Sequence, residues 1–170
     1  MAQILERLRA QVLATADLHR ALALRPGQNI HLSEHLRRVT GIIALACAGR
    51  ILLHQELADD CAVSPEAVLP LGQIVSEAMT NAVKHARPDG DLVRLVVRCW
   101  RDDLDTICVE VADNGCGLAP DPANSGGLGL RLIRQLARKA GGAAEFHSGD
   151  DGLRVLVRLP DRNLSTCYVI

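Results

Sequence analysis

Residues 77–85 read Glu77-Ala78-Met79-Thr80-Asn81-Ala82-Val83-Lys84-His85. They follow Ser64-Pro65-Glu66, which has the form of a helix start: Ser as N-cap, Pro at the first helical position, and an acid in the first turn. The helix it opens is expected to run to about Ala86. At about 100° per residue, Glu77, Asn81, Lys84 and His85 fall at roughly 0, 40, 340 and 80°, so all four leave one face. An acid, an amide oxygen, an ammonium and an imidazole on one face suit a magnesium-bound polyphosphate. The amide oxygen can ligate a hard cation, the ammonium can meet phosphate charge, and the acid can hold a metal-bound water. The same residues also read as a solvated polar face, and the segment alone does not choose between the two.

Two further segments narrow the choice. In Val111-Ala112-Asp113-Asn114-Gly115-Cys116-Gly117-Leu118 an acid ends an apolar strand and glycines follow at alternate positions. That places a carboxylate at the floor of a cleft, with missing Cβ atoms that let the backbone approach a ligand. A plain strand-to-loop turn would read the same way. In Ser125-Gly126-Gly127-Leu128-Gly129-Leu130 a glycine run leads into a helix, where backbone N–H groups favour anions. No Gly-Lys-Ser/Thr follows it and no strand precedes it, so it is neither a Walker loop nor a dinucleotide fingerprint.

Composition removes other classes. The chain has 170 residues, 19 Lys+Arg against 20 Asp+Glu, and a net charge of -1. This balance lacks the cationic excess of a nucleic-acid coat or a polybasic membrane arm. Phe146, Trp100 and Tyr168 are the whole aromatic set, too few for a base-stacking platform. The six cysteines show no CxxC pair, so neither a disulfide framework nor structural zinc is expected. Cys116, inside the glycine box, reads as a small filler or as part of a pocket lining. His31, His35, His54 and His147 lack acid or metal-like partners at useful spacing and read as structural or solvated. Met1–Leu13 carries Glu6, Arg7 and Arg9 without an apolar run, so no signal peptide is expected. Gly41–Gly49 is far shorter than the ~20 residues of a membrane helix. A soluble, cytoplasmic chain without membrane contact is expected from this segment.

Around the three motifs, Ile4, Leu5, Leu8, Val12, Leu18 and Leu22 form a helical stripe over about Ala2–Leu24, ended by Arg25-Pro26-Gly27. A second helix is expected from Ser33, as N-cap, to Ala48. Strands are expected over Ile51–Leu57, Leu92–Trp100, Thr106–Ala112, Ala143–His147 and Leu153–Leu159. A loop passes through Asp59-Asp60, a turn through Pro88-Asp89-Gly90, and a helix from about Leu130 to Ala140. The tail after Pro160 is expected to be loose.

Taken together and in this order, the three segments resemble the ATP-binding motifs of the histidine-kinase, gyrase, heat-shock-90 and mismatch-repair ATPase superfamily. They are most similar to the catalytic domain of bacterial sensor histidine kinases. Asn81–His85 resembles the N-box of those domains, Asp113–Gly117 their first glycine box, and Gly127–Leu130 their second. Pro70-Leu71-Gly72 and Gly129–Ile133 are similar to the subfamily whose acceptor helix reads His-Arg-Val-Lys-Asn-Asn. The resemblance spans about Ile51–Pro160. It implies a Bergerat-type fold, a two-layer α/β sandwich with a mixed sheet and helices on one face, preceded by an N-terminal helix. It implies ATP and Mg2+ as ligands, with Asp113 binding the adenine amino group and Gly115 and Gly117 shaping the base pocket. Asn81 would ligate magnesium, with Glu77 behind it, and Lys84 and His85 would face the phosphates. Gly127, Leu128, Gly129 and Leu130 would hold the far end of the phosphates, and Ala119–Ser125 would form a short lid. Glu77, Lys84 and His85 would be the catalytic side chains.

On this resemblance the domain plan is a dimerisation-helix remnant over 1–26, an ATP-binding catalytic domain over 27–162, and a flexible tail over 163–170. The expected function is transfer of the γ-phosphoryl of Mg-ATP to a histidine, for relay to the receiver domain of a response regulator. A homodimer would form through the N-terminal helix. His19 is the one phosphoacceptor candidate in the chain. Leu22-Ala23-Leu24 follows where Lys-Asn-Asn should stand, and the interval to Asn81 is short for a helical hairpin. The segment reads better as the hairpin's return helix, with the acceptor histidine outside this chain. Two rival readings are an anti-sigma-factor serine kinase, and a non-catalytic histidine phosphotransfer protein with a vestigial ATPase domain.

Overall fold

A computed structural model describes residues 29–47, 49–85, 92–118 and 127–160. The expected N-terminal helix, His19, the 88–90 turn, the 119–125 segment and the tail lie outside the described residues. In chain order the elements are β1 (Ile30–His31), α1 (Leu32–Ala46), β2 (Ile51–Leu57), β3 (Ala62–Val63) and α2 (Pro65–His85). They continue with β4 (Val93–Arg101), β5 (Ile107–Asp113), α3 (Leu128–Lys139), β6 (Ala143–Gly149) and β7 (Gly152–Leu159). Five strands form one sheet in the order β2-β4-β5-β7-β6. The β2–β4 pair is parallel and the other pairs are antiparallel, so the sheet is mixed. The three helices pack on it as a second layer, the two-layer α/β sandwich expected from the sequence.

Strand alternation explains the layering. Val93, Leu95, Val97 and Cys99 of β4 are buried against the helices, together with Ile107, Val109 and Val111 of β5 and Val155, Val157 and Leu159 of β7. From α2, Val68, Leu71, Ile74, Val75, Ala78, Met79 and Ala82 meet them, at the helical spacing of three and four. The intervening residues of β4 and β5 face away. There Arg98 and Glu110, opposite one another in the register, pair at 2.9 Å. Arg154 reaches the other oxygen of Glu110 at 3.5 Å. These two guanidiniums compensate a carboxylate that is only 4% exposed. Between layers, Thr40 of α1 is fully buried. Its hydroxyl donates to the Leu36 carbonyl at 2.7 Å and accepts from the Gln55 amide of β2 at 2.7 Å, so it is satisfied on both sides.

Several local expectations are corrected. Ser33 is not the N-cap of α1. The helix begins at Leu32, with His31 in the cap position, and the Ser33 hydroxyl donates to Asp59 Oδ1 at 3.2 Å instead. Burial of Leu32 in the core fixes that earlier start. Asp59-Asp60 is followed by β3, which pairs with β1 to form a small separate sheet. Helix α3 starts at Leu128 because the Gly127 carbonyl already accepts from Leu130 and Arg131. His54 and His147 do have acidic partners, Glu56 at 3.1 Å and Glu145 at 3.5 Å. Each acid stands two residues away on the same strand and therefore on the same face.

Candidate nucleotide-binding site

Where the C-terminal half of α2, the end of β5 and the start of α3 meet, the described residues enclose a cleft of about 260 Å³. Asp113 forms its floor at the last position of β5. Its Oδ1 accepts from the Gly115 N–H at 2.8 Å and from the Leu153 N–H at 3.3 Å. Among the described residues Oδ2 has no hydrogen-bond partner. One oxygen therefore anchors the side chain and the other is left for a donor in the cleft. Asn114 holds the same turn to the next strand, accepting from the Arg94 N–H at 2.8 Å.

The glycines permit close approach at definite places. Gly117 has φ +69°, and a Cβ there would come 2.6 Å from both the Ser148 hydroxyl and the Gly149 carbonyl. A Cβ on Gly129 would stand 2.6 Å from Glu77 Oε1 and 2.7 Å from Asn81 Nδ2. The first turn of α3 thus rests against the polar face of α2. Gly115 is buried beneath the floor and gives its N–H to Asp113.

The sequence candidates separate by position. Asn81, His85, Asp113, Gly117, Gly127, Leu128, Gly129 and Leu130 all line the cleft. Glu77 is half-buried and reaches it by way of Gly129, while Lys84 is exposed and off the lining. Arg50 supports the last turn of α2 by donating to the Val83 carbonyl at 3.4 Å. Cys116 is exposed and outside the lining, with its thiol 3.7 Å from the His85 carbonyl. Ala82, Leu118 and Leu153 line the cleft without having been singled out in the sequence. Leu118 adjoins the glycine box and could have been read as its apolar wall. Leu153 lies forty residues from Asp113, and strand pairing alone brings it there.

The donor set suits a hard cation held partly by a ligand. Among the described residues no group of three or more His, Cys, Asp or Glu side chains could hold a metal ion unaided. Glu77 and Asn81 offer one carboxylate and one amide side by side at Gly129. Magnesium accepts such a sparse set because it keeps waters and takes phosphate oxygens.

Known proteins resemble this chain in sequence and in fold. The family model described as histidine kinase-, DNA gyrase B-, and HSP90-like ATPase matches residues 66–163. Blue-light-activated histidine kinase 2 of Erythrobacter litoralis is 32% identical over 105 residues, which are 61% of this chain and 30% of that protein. The nitrate/nitrite sensor protein NarQ of Escherichia coli is 30% identical over 125 residues, 74% of this chain and 21% of its own length. The chain thus spans less than a third of these relatives. The solved histidine kinase domain of an Erythrobacter litoralis blue-light-activated histidine kinase superposes with a TM-score of 0.76 at 28% identity. It covers 91% of this chain and 79% of that domain.

Proposed function

Because the chain belongs to the family of histidine kinase-, DNA gyrase B-, and HSP90-like ATPases, we propose that it is the ATP-binding catalytic module of a sensor histidine kinase. It passes the γ-phosphoryl of Mg-ATP to a histidine, and that phosphoryl goes on to an aspartate of a response-regulator receiver domain. The observation that carries this reading is the convergence on one cleft of three segments far apart in sequence. They are the polar face of α2, the Asp113 floor, and the glycine-led start of α3. The likeness to histidine kinases over most of the chain supports the choice within the family.

On this reading the free Oδ2 of Asp113 accepts the adenine amino group, and Leu118, Leu130 and Leu153 give the base an apolar surround. Gly115 holds Asp113 in place, and Gly117 lets the backbone come close to the base. At the opposite end the N–H groups of Gly127, Leu128 and Gly129 begin α3, where helix dipole and unpaired donors favour phosphate. His85 faces the phosphates from the lining, and Lys84 adds charge from the adjacent exposed position. Asn81, with Glu77 behind it, would hold Mg2+, which supplies neutralisation of charge developing on the phosphate oxygens. On the same reading Glu77 accepts the proton of the incoming nucleophile. Phosphoryl transfer needs mainly positioning and electrostatic stabilisation, and these residues offer both.

The domain plan belongs to the same proposal. Residues 27–162 form the catalytic unit, 1–26 belong to a dimerisation helix, 163–170 form a tail, and the acceptor histidine is on another segment. Among the described residues no helix is long and apolar enough to cross a membrane, and we place the module's work in the cytoplasm. The test is incubation with radiolabelled Mg-ATP and a supplied histidine-bearing helical hairpin. Acid-labile, alkali-stable label on the hairpin is the expected result. Acid-stable label on a serine would replace this reading with a serine kinase.

A further inference from the structure

The hairpin of β6 and β7 touches the segment Asp113–Leu118 at four points. The Ser148 hydroxyl accepts from the Leu118 N–H at 2.7 Å. The Gly149 carbonyl lies where a side chain on Gly117 would have to go, and Gly152, at φ +125°, leaves no room for a Cβ beside the Asp113 carbonyl. Leu153 then donates to Asp113 Oδ1. The other three contacts are made by hairpin backbone. Ser148 alone contributes a side-chain atom.

We propose that Ser148 is a positioning residue for nucleotide binding, acting by fixing Leu118 against the cleft. This inference rests on the reading of the cleft as the ATP site. The Leu118 N–H is exposed, so without Ser148 it would hydrogen-bond to water at little cost in folding free energy. The hairpin itself does not depend on the bond, because β6 and β7 pair along their whole length from Ala143↔Arg158 to Gly149↔Gly152. What the hydroxyl determines is where Gly117 and Leu118 stand. Leu118 is 39% exposed and lines the cleft, so its exposed apolar surface is available to a bound base. Ser148 does not line the cleft and acts through Leu118.

The experiment titrates a non-hydrolysable ATP analogue, with magnesium, into the unmodified protein, Ser148→Ala and Ser148→Thr, and records the melting of each without nucleotide. Ser148→Ala should weaken binding about three- to tenfold, the range expected for one lost orienting hydrogen bond. Ser148→Thr, which keeps the hydroxyl, should restore binding to within about twofold. Nucleotide-free melting should be the same in all three, as an exposed contact requires. Equal binding by Ser148→Ala and the unmodified protein overturns the inference. So does weakened binding in Ser148→Thr, or a fall in nucleotide-free melting that accompanies the loss of affinity. Absence of binding by the unmodified, folded protein overturns the underlying reading of the cleft instead, and is distinguished by that arm alone.

Discussion

Replacing Gly72 by alanine sets two effects of opposite sign against each other inside α2. Alanine in a helix interior is worth up to about 1 kcal/mol over glycine, chiefly because it restricts the unfolded chain. At this position, however, a Cβ would overlap the Nε2 end of the His35 ring, which α1 lays across the Gly72 backbone. His35 is 9% exposed, and its Nε2 is the one buried side-chain polar atom without a partner among the described residues. Leu32 and Leu36, three residues before it and one after it on the same helix, are fully buried. Overpacking of this kind costs about 1–3 kcal/mol. Set against the gain in helix propensity, the net destabilisation expected for Gly72→Ala is about 1–2 kcal/mol. For a chain of this size that is a fall in Tm of roughly 2–8 °C. With His35→Ala already present the obstruction is gone, and the same substitution should become stabilising by up to about 1 kcal/mol. A four-member cycle by urea denaturation, followed by circular dichroism, reads the coupling directly. If Gly72→Ala is stabilising in the unmodified protein, or equally destabilising in both backgrounds, His35 does not pack on Gly72 as described.

The same histidine makes stability depend on pH. Burial, with the nearby Arg38 charge adding to it, lowers the His35 pKa from 6.5 to about 4, so between those values the unfolded chain binds more protons than the folded one. This contribution is complete above about pH 6.5 and is lost as pH falls towards 4. It amounts to about 3 kcal/mol at most, and His35→Ala should flatten the slope in denaturation measured across that window. At the cleft, Gly129→Ala should push Glu77 and Asn81 aside and lower affinity for a magnesium-bound ATP analogue at least tenfold, as calorimetry would register. Unchanged affinity would mean that the α2–α3 contact does not shape the site.

What could be read from the sequence was local. Asn81 and His85 are one helical turn apart, so any helix through them brings both to one face, and the structure has them together on the cleft. Asp113 could be found because its acid and alternating glycines stand in sequence between the polar helix face and the glycine run, an order that a plain strand-to-loop turn does not supply. The sheet followed from period-two patterns in strands of seven to nine residues. Two-residue strands carry no period, which is why β1 and β3 escaped notice. Helical angles also could not tell which side chains on an arc point inward. Lys84 lies on the arc yet outside the cleft, whereas Glu77 and Asn81 meet the first turn of α3 at Gly129. The parts contributed by the β6–β7 hairpin depend on pairing between distant strands. Ser148 and Leu153 lie 30 and 40 residues from the groups they hold, Leu118 and Asp113. His35 shows the same limit: its burial against Gly72 arises from helix packing that neither segment signals alone.

The most direct test of the central claim is calorimetric titration of a non-hydrolysable ATP analogue, with and without magnesium, beside an Asp113→Asn variant. Asparagine keeps the Oδ1 that accepts from Gly115 and Leu153, so the turn persists, while the free oxygen becomes an amide that cannot accept from adenine. The account predicts binding that magnesium strengthens and that the variant loses. A folded protein that binds no nucleotide, or a variant that binds as well as the original, would contradict it.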